Sequence, residues 1–289
     1  MIAHWGLMFL LSTSAFAADD TPAAFPISIM SFNVRFGTAM DGENAWPRRR
    51  DTLVETIRRY DPDIIGTQEC LETQAEYVVQ ALPDYRWFGA GRTQGPPLAD
   101  EMTAILYKKQ LFTPLETGNF WLSETPDAVG SKSWDSSLPR IVTWARFHHR
   151  PSGRQFYLFN THFDHRGATA REMSATLVAQ RIQTLPPPMP VILTGDFNAA
   201  AESSAPWKRL FEGGLQDSWQ TAPDRKGPVG TFHGFQGAAA KSEDRIDWVL
   251  YRGPLQALSS ETIDYHEGER YPSDHYPVFC RFTVTAPQE

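Results

Sequence analysis

Cysteine is nearly absent: the chain of 289 residues contains two, Cys70 and Cys280. That excludes a disulfide scaffold and every cysteine-based zinc motif. The two could bridge only if their Cα atoms came close. Cys280 sits inside the apolar run Tyr276–Phe282, where a thiol behaves as a small hydrophobe, so unpaired thiols are expected. Beyond the first residues no apolar run is long enough to cross a bilayer, which argues against an integral membrane protein. Internal repeats, heptads and blocks of like charge are missing too, so the chain is neither a repeat protein nor a fibre. No glycine-rich phosphate loop appears. Positive charge is short as well: 27 Lys and Arg stand against 34 Asp and Glu, a net −7. Such a chain binds polyanions poorly unless it has a local basic patch or a metal, which leans away from a dedicated nucleic-acid binder.

What remains is ordinary globular composition, 41% hydrophobic and 21% charged, enough for one large domain or two small ones. Twenty-two prolines and nine tryptophans indicate many loops and several amphipathic aromatic positions. The amino terminus differs from the rest. Trp5–Leu11 is a short apolar core, and Ala15-Phe16-Ala17 supplies a small-x-small cleavage pattern. Residues 1–17 therefore read as a signal peptide, 18–25 as a flexible lead-in and 26–285 as one domain. The mature protein is expected in the periplasm or secreted, as a monomer without a stable protein partner.

Strands are expected at Ile27–Asn33, Ile64–Glu69, Tyr85–Phe88, Thr103–Tyr107, Gly118–Trp121, Ile141–His148, Gln155–Thr161, Val191–Thr194, Asp244–Tyr251 and Tyr276–Val284. A helix opening at Pro47 carries Leu53, Val54 and Ile57 on one stripe, with Arg48, Arg49, Arg50, Arg58 and Arg59 mostly on the solvent side. Further helices are expected over Thr73–Leu82, Thr169–Leu185 and about 205–211. The Gly/Pro-rich loop Gly89–Asp100 could lie over a site. Two packed, largely antiparallel sheets with helices outside fit this order.

Val191-Ile192-Leu193-Thr194-Gly195-Asp196-Phe197-Asn198 is the most informative stretch. If extended backbone continues through Phe197, Asp196 and Asn198 face the same way, a carboxylate beside a carboxamide. An Asx-type turn closing the strand uses the same residues, so this stretch alone reads either way. Other strand ends finish alike: Asn33, Glu69, His162, Asp247 and Ser273-Asp274-His275. Each taken singly has a structural reading, since such residues end strands routinely.

Taken in order, Ser31-Phe32-Asn33, Gln68-Glu69, Thr161-His162, Gly195-Asp196-Phe197-Asn198, Arg245-Ile246-Asp247 and Ser273-Asp274-His275 closely resemble the endonuclease/exonuclease/phosphatase superfamily, in an exported bacterial branch. The resemblance covers essentially everything after the leader. It implies an α/β (α+β) fold, a four-layer α/β/β/α sandwich of two mixed, largely antiparallel sheets, with Mg²⁺-assisted hydrolysis of phosphate esters at one end (Mn²⁺ as a substitute). By motif, Glu69 corresponds to the principal metal ligand, with Asn33 beside it and Asp274 completing the sphere directly or through water. An oxygen-only shell of this kind suits Mg²⁺. Asp196 corresponds to the residue that activates or positions the attacking water, and Asn198 to a donor toward a non-bridging phosphate oxygen. His275 with Asp247 resembles the family's His–Asp pair, and His162 its second histidine, with Glu101 as an acidic partner. The general base stays open between Asp196 and the His275–Asp247 pair.

Arg35 departs from the pattern, since several branches carry an acid there. It would contact phosphate or form a structural salt bridge. Arg140 is a candidate for gripping a substrate phosphate bidentately, and Asp164 with His165 would shape the leaving-group side or order a loop. The expected activity is an exported phosphoric-ester hydrolase, a phosphodiesterase acting on a small molecule, lipid head group or glycan. A secreted nuclease is the alternative. Sphingomyelinase-like or inositol-phosphatase-like activities and a non-catalytic binding module rank below both, because a complete catalytic set argues for chemistry.

Overall fold

Side-chain alternation along the strands decides how the layers assemble. The computed structural model describes Met1 and residues 24–95, 100–240 and 243–285. β1 (Phe25–Asn33) leads into α1 (Trp46–Tyr60), opened by Pro47, whose missing N–H costs nothing in a first turn, and closed by left-handed Asp61. Next come β2 (Ile64–Gln68), α2 (Glu72–Ala81), β3 (Tyr85–Phe88) and β4 (Ile105–Lys108). β5 (Phe112–Trp121), β6 (Ile141–His149) and β7 (Gln155–His162) form an antiparallel meander. α3 (Ala168–Gln183) then returns the chain to β8 (Val191–Asp196), parallel to β7. The last third holds α4 (Ala205–Glu212), β9 (Gln216–Asp217), α5 (Ser218–Thr221), β10 (Asp224–Lys226), β11 (Asp247–Arg252), β12 (Leu255–Thr262) and β13 (Val278–Val284).

The strands form one sheet in the order β10-β12-β13-β1-β2-β4-β3 and another in the order β5-β6-β7-β8-β11-β9. Pairing is antiparallel except for β1–β2, β10–β12 and β7–β8. Between the sheets lie Ile27, Ile29, Ile64, Leu158, Ile192, Val249 and Phe282. Ile29, Ile64, Leu158 and Ile192 are completely buried, each contributing about 2 kcal/mol of burial free energy. The alternate residues face outward. Met30 and Phe32 meet Leu53, Val54 and Ile57 of α1 on one side, while Leu193 and Trp248 meet Val178, Ile182 and Leu210 on the other. Helix, sheet, sheet, helix is therefore the layer order, as the resemblance implied.

Several expectations need correction. Phe25, placed in the flexible lead-in, starts β1 and is 4% exposed, packed against His149. The signal-peptide residues 2–17 lie outside the described residues. Arg49 does not face solvent: it is completely buried and donates to the carbonyls of Val34, Arg35, Asn44 and Pro272. β5 is far longer than Gly118–Trp121, because a bulge between Pro114 and Glu116 carries this edge strand past a residue that interrupts ordinary pairing. β9, β10, β12 and α5 were not expected. Both cysteines are free and buried, as anticipated.

Candidate active site

The inner-facing rows of both sheets run from apolar to polar toward one end. On β1, Ile29 is followed by Ser31 and Asn33; on β8, Ile192 is followed by Thr194 and Asp196. On β7 the row is Leu158, Asn160, His162. A polar layer couples the sheets, with Gln68 Nε2 donating to Asn160 Oδ1 at 2.7 Å. Gly66 permits this approach, since a Cβ there would stand 2.1 Å from Thr194 Oγ1. One step further, Asn33 Nδ2 donates across the sandwich to Asp196 Oδ2 at 2.9 Å. Strand register places His162, Asp196 and Asp247 side by side on three neighbouring strands.

His275 arrives from a loop and not from a strand. Ser273 Oγ donates to Asn33 O at 2.6 Å, and Tyr276 N donates to Thr231 O at 2.7 Å, strapping the 273–276 segment over the strand ends. The ring sits between two carboxylates, with Nδ1 2.9 Å from Asp247 Oδ2 and Nε2 3.8 Å from Asp196 Oδ2. Burial disfavours the imidazolium, but Asp247 and Asp196 outweigh it and push His275 up to about 10. Burial, reinforced by the Asp247 charge, pushes Asp196 up to about 7. His162 behaves oppositely: burial, then the Arg140 charge, drive it well below the ordinary imidazole value. Its hydrogen bonding agrees, because Asn198 Nδ2 donates to His162 Nε2 at 3.0 Å and leaves Nδ1 as the ring donor.

β8 ends at Asp196, so the extended path to Asn198 is not taken. Asn198 adopts φ 48°, and its N–H closes an Asx turn on Asp196 Oδ1 at 2.9 Å. Both hydrogens of its amide are engaged, by His162 and by Phe163 O. In this state Asn198 orients His162; the expected donation to phosphate requires one of those bonds to be given up.

Glu69, Asp274, Asp196, Asn198, His162, His165, Arg35, Arg140 and Glu101 all line one cleft of about 450 Å³, with Arg92 and Phe232. Glu69 accepts from Asn33 Nδ2 at 3.2 Å and from Phe36 N at 3.0 Å. Burial, with the Glu69 charge adding to it and His275 opposing, raises the Asp274 carboxyl. Two cleft-facing carboxylates that repel each other, beside the Asn33 carboxamide, form the hard-oxygen set that a divalent cation satisfies. Asn33 Oδ1 accepts from Arg35 N at 3.0 Å and retains a second lone pair. Asp196, Asp247 and His275 also place ligand atoms within 4.8 Å of one another. There the 2.9 Å His275–Asp247 hydrogen bond engages Nδ1 and Oδ2, Asp247 Oδ1 is buried without a partner, and Asp247 does not line the cleft. The described residues thus offer two oxygen-bearing groups, Glu69 with Asp274 on the cleft wall and Asp196 with Asp247 around His275.

The expected Glu101–His162 pair is not formed. Glu101 is held bidentately by Arg92 at 2.8 and 2.9 Å, a partner the sequence reading missed. Arg35 grips Asp41 bidentately at 2.8 and 3.0 Å, so it forms the salt bridge, while its Nη1 lies 3.6 Å from Asp274. Asp164 accepts from Ser137, Leu138, Arg166 and Gly167, which makes it a loop organiser. Arg140 is 4% exposed; its Nη2 meets His165 Nδ1 at 3.0 Å, and its Nε and Nη1 have no hydrogen-bond partner.

Residues 30–275 match the model of the Endonuclease/Exonuclease/phosphatase family. A mannosyl-6-phosphatase from Bacteroides thetaiotaomicron is similar at 35% identity and TM-score 0.83, over 89% of this chain and 99% of that one. An endonuclease/exonuclease/phosphatase from Bacteroides vulgatus shows 32% identity and TM-score 0.84, over 90% of this chain and 99% of that one. The CCR4-Not complex 3'-5'-exoribonuclease subunit Ccr4 of Emericella nidulans is 22% identical over 92% of this chain, which spans only 53% of that relative's length. Matched across the strand ends that build its cleft, the chain belongs to the endonuclease/exonuclease/phosphatase family, whose members hydrolyse phosphoric esters.

Proposed function

We propose that the protein is an exported, divalent-metal-dependent hydrolase of a small phosphate ester, with a sugar phosphate as the first substrate to test. The observation that carries this is Arg140. A buried guanidinium whose Nη1 has no partner and whose Nε comes no closer than 3.7 Å to Asp164, on the wall of a cleft whose floor is carboxylate-rich, calls for an oxyanion held against a cation. The similarity to a mannosyl-6-phosphatase supports a monoester of a sugar over the diester expected from the sequence.

In this reading Glu69 and Asp274, with Asn33, would hold Mg²⁺ or Mn²⁺, which when bound supplies charge compensation at phosphorus. Asp196 is the base: its raised carboxyl is matched to taking a proton from water near neutrality, whereas His275 is already protonated there. The His275 imidazolium, held by Asp247, and Arg140 face the charge that grows on the phosphate oxygens. His162, oriented by Asn198, remains neutral and donates through Nδ1. Phosphoryl transfer needs little more than this positioning and charge balance.

The test measures phosphate release from mannose 6-phosphate and p-nitrophenol release from bis-p-nitrophenyl phosphate, with Mg²⁺, with Mn²⁺ and after EDTA. Metal-dependent release from the monoester is expected to dominate. Preferred cleavage of the diester or of plasmid DNA would return the activity to a phosphodiesterase or a nuclease, and EDTA-resistant turnover would remove the metal.

A further inference from the structure

The catalytic cleft is lined both by the cationic groups Arg92 and Arg140, which also share a small pocket with Glu101 and His162, and by the aromatic ring of Phe232. That ring packs edge-on against His275, with centroids 5.0 Å apart, and is 40% exposed. Beyond it opens a second cavity of about 560 Å³ that shares Phe232 as a wall. Its volume lies within the range of small-molecule sites, roughly 300–1,000 Å³.

The two cavities are joined through backbone as well as through a shared side chain. His233 N and Gly234 N both donate to Asp274 O, at 2.9 and 3.0 Å, and Phe232 bridges to His275. The cavity wall is aromatic: His233 stacks on Tyr276 at 4.0 Å, and Tyr271 tilts over His233 at 4.7 Å. His233 Nδ1 accepts from Gly237 N at 3.3 Å, so its proton sits on Nε2. Nε2 is buried, and the ring interacts with the His275 backbone, which ties this wall to the catalytic cleft. Asp264 and Glu243 contribute carboxylates, and the described lining residues include no lysine or arginine.

We infer that this second cavity is a subsite for an uncharged, polyhydroxylated group attached to the phosphorylated unit, that is, a neighbouring sugar of a glycan. The inference rests on the phosphate-ester reading and extends it. Aromatic faces pack against the C–H faces of a sugar ring. The Asp264 and Glu243 carboxylates that line the cavity accept hydrogen bonds from sugar hydroxyls. A quaternary ammonium uses the same rings and carboxylates but donates no hydrogen bond to Asp264 or Glu243, which makes choline the competing probe. Acidic lining disfavours a further phosphate, and so a polynucleotide.

The test compares, on the full chain, mannose 6-phosphate with the same unit carrying one additional uncharged mannose. The wild-type protein is expected to favour the extended ester in kcat/KM by roughly fivefold or more, the worth of one aromatic contact. Tyr271→Ala should bring that ratio to about one, through KM and not kcat, while Tyr271→Phe should retain it. A wild-type ratio of one, or a ratio unchanged in Tyr271→Ala, overturns the subsite. If neither ester is hydrolysed, the catalytic reading fails, and binding of phosphate-free mannobiose, followed by ligand-observed NMR, decides the subsite alone. Binding that Tyr271→Ala removes supports it; no binding, binding that survives the substitution, or tighter binding of choline overturns it.

Discussion

Arg140→Met should make the protein more stable and less active at once. In the free protein the guanidinium is buried with Nε and Nη1 unpartnered, each unsatisfied group costing about 1–3 kcal/mol. Against this stand the 3.0 Å bond to His165 and the 3.7 Å approach to Asp164, which already has five other donors. Removing the charge while keeping the volume leaves a net gain of about 1–2 kcal/mol. For a chain of this size that is a rise of roughly 2–3 °C in Tm. Turnover should move the other way. Losing a buried, charge-assisted grip on phosphate costs about 2–4 kcal/mol, or roughly 30- to 1,000-fold in kcat/KM. Thermal unfolding with and without inorganic phosphate separates the two effects. Phosphate should raise Tm of the wild-type protein and leave that of Arg140→Met unmoved. A variant that melts below wild type and retains its kcat/KM would show that Arg140 is a structural cation and does not contact substrate.

Glu69→Gln should lower kcat by about 10²–10³ with little change in Tm, the scale for losing one electrostatic element of a site, and EDTA should abolish turnover until Mg²⁺ is restored; full activity in either experiment rules out the metal. Asn198→Ala removes the bond that sets the His162 tautomer and should reduce kcat about 10²-fold with KM nearly constant; a change confined to KM would make Asn198 a ground-state contact instead. His149 lies far from the cleft, stacked on Phe25, and burial holds it below the ordinary 6.5. Its neutral form is the one the fold accepts, so its stabilising contribution is complete above pH 6.5 and is lost as pH falls below that value. His149→Phe keeps the stack and should flatten this acid-side loss in urea titrations at pH 7 and pH 5; identical losses in both proteins would assign it to other groups.

The ordered motifs of the family resemblance made most of the site legible, and alternation along the strands explains why those motifs converge. Once Ile29 and Ile192 are read as inner-facing, Asn33 and Asp196 follow on the same faces, and the structure joins them at 2.9 Å. Where the pattern stops, so does the reading. Arg92 and Glu101 pair across a loop whose path no periodicity describes, which is why His162 was given the wrong partner. Charge on a helix usually lies in solvent, yet the length of Arg49 lets it collect four carbonyls at the cleft's edge. β12 escaped notice because Leu255-Gln256-Ala257-Leu258-Ser259-Ser260 has no β-branched or aromatic residue, and its pairing with β13 supplies what propensity does not. Phe232 lies in an irregular segment, and its only cue was an aromatic among Thr, Gly and His.

Backbone conformation explains why alternation fails just past the ends of β1, β2 and β8. Of the eight described non-glycine residues with positive φ, Arg35, Glu69 and Asn198 all belong to the cleft, at 55°, 56° and 48°. Each follows within two residues of a strand's last residue: Asn33, Gln68 and Asp196. A left-handed turn there swings the next side chain off the sheet's alternating faces and into the rim, at about 1–2 kcal/mol apiece. Glycine would remove that strain, but it would also remove the carboxylate, the guanidinium or the amide the turn exists to aim. Strain concentrated on three converging strand exits is therefore independent support for the site, drawn from dihedral angles and not from residue identity. It also separates Asn198, whose side chain tolerates the left-handed region, from Glu69 and Arg35, which adopt it only because Phe36 N, Asn33 and Asp41 hold their side chains in place.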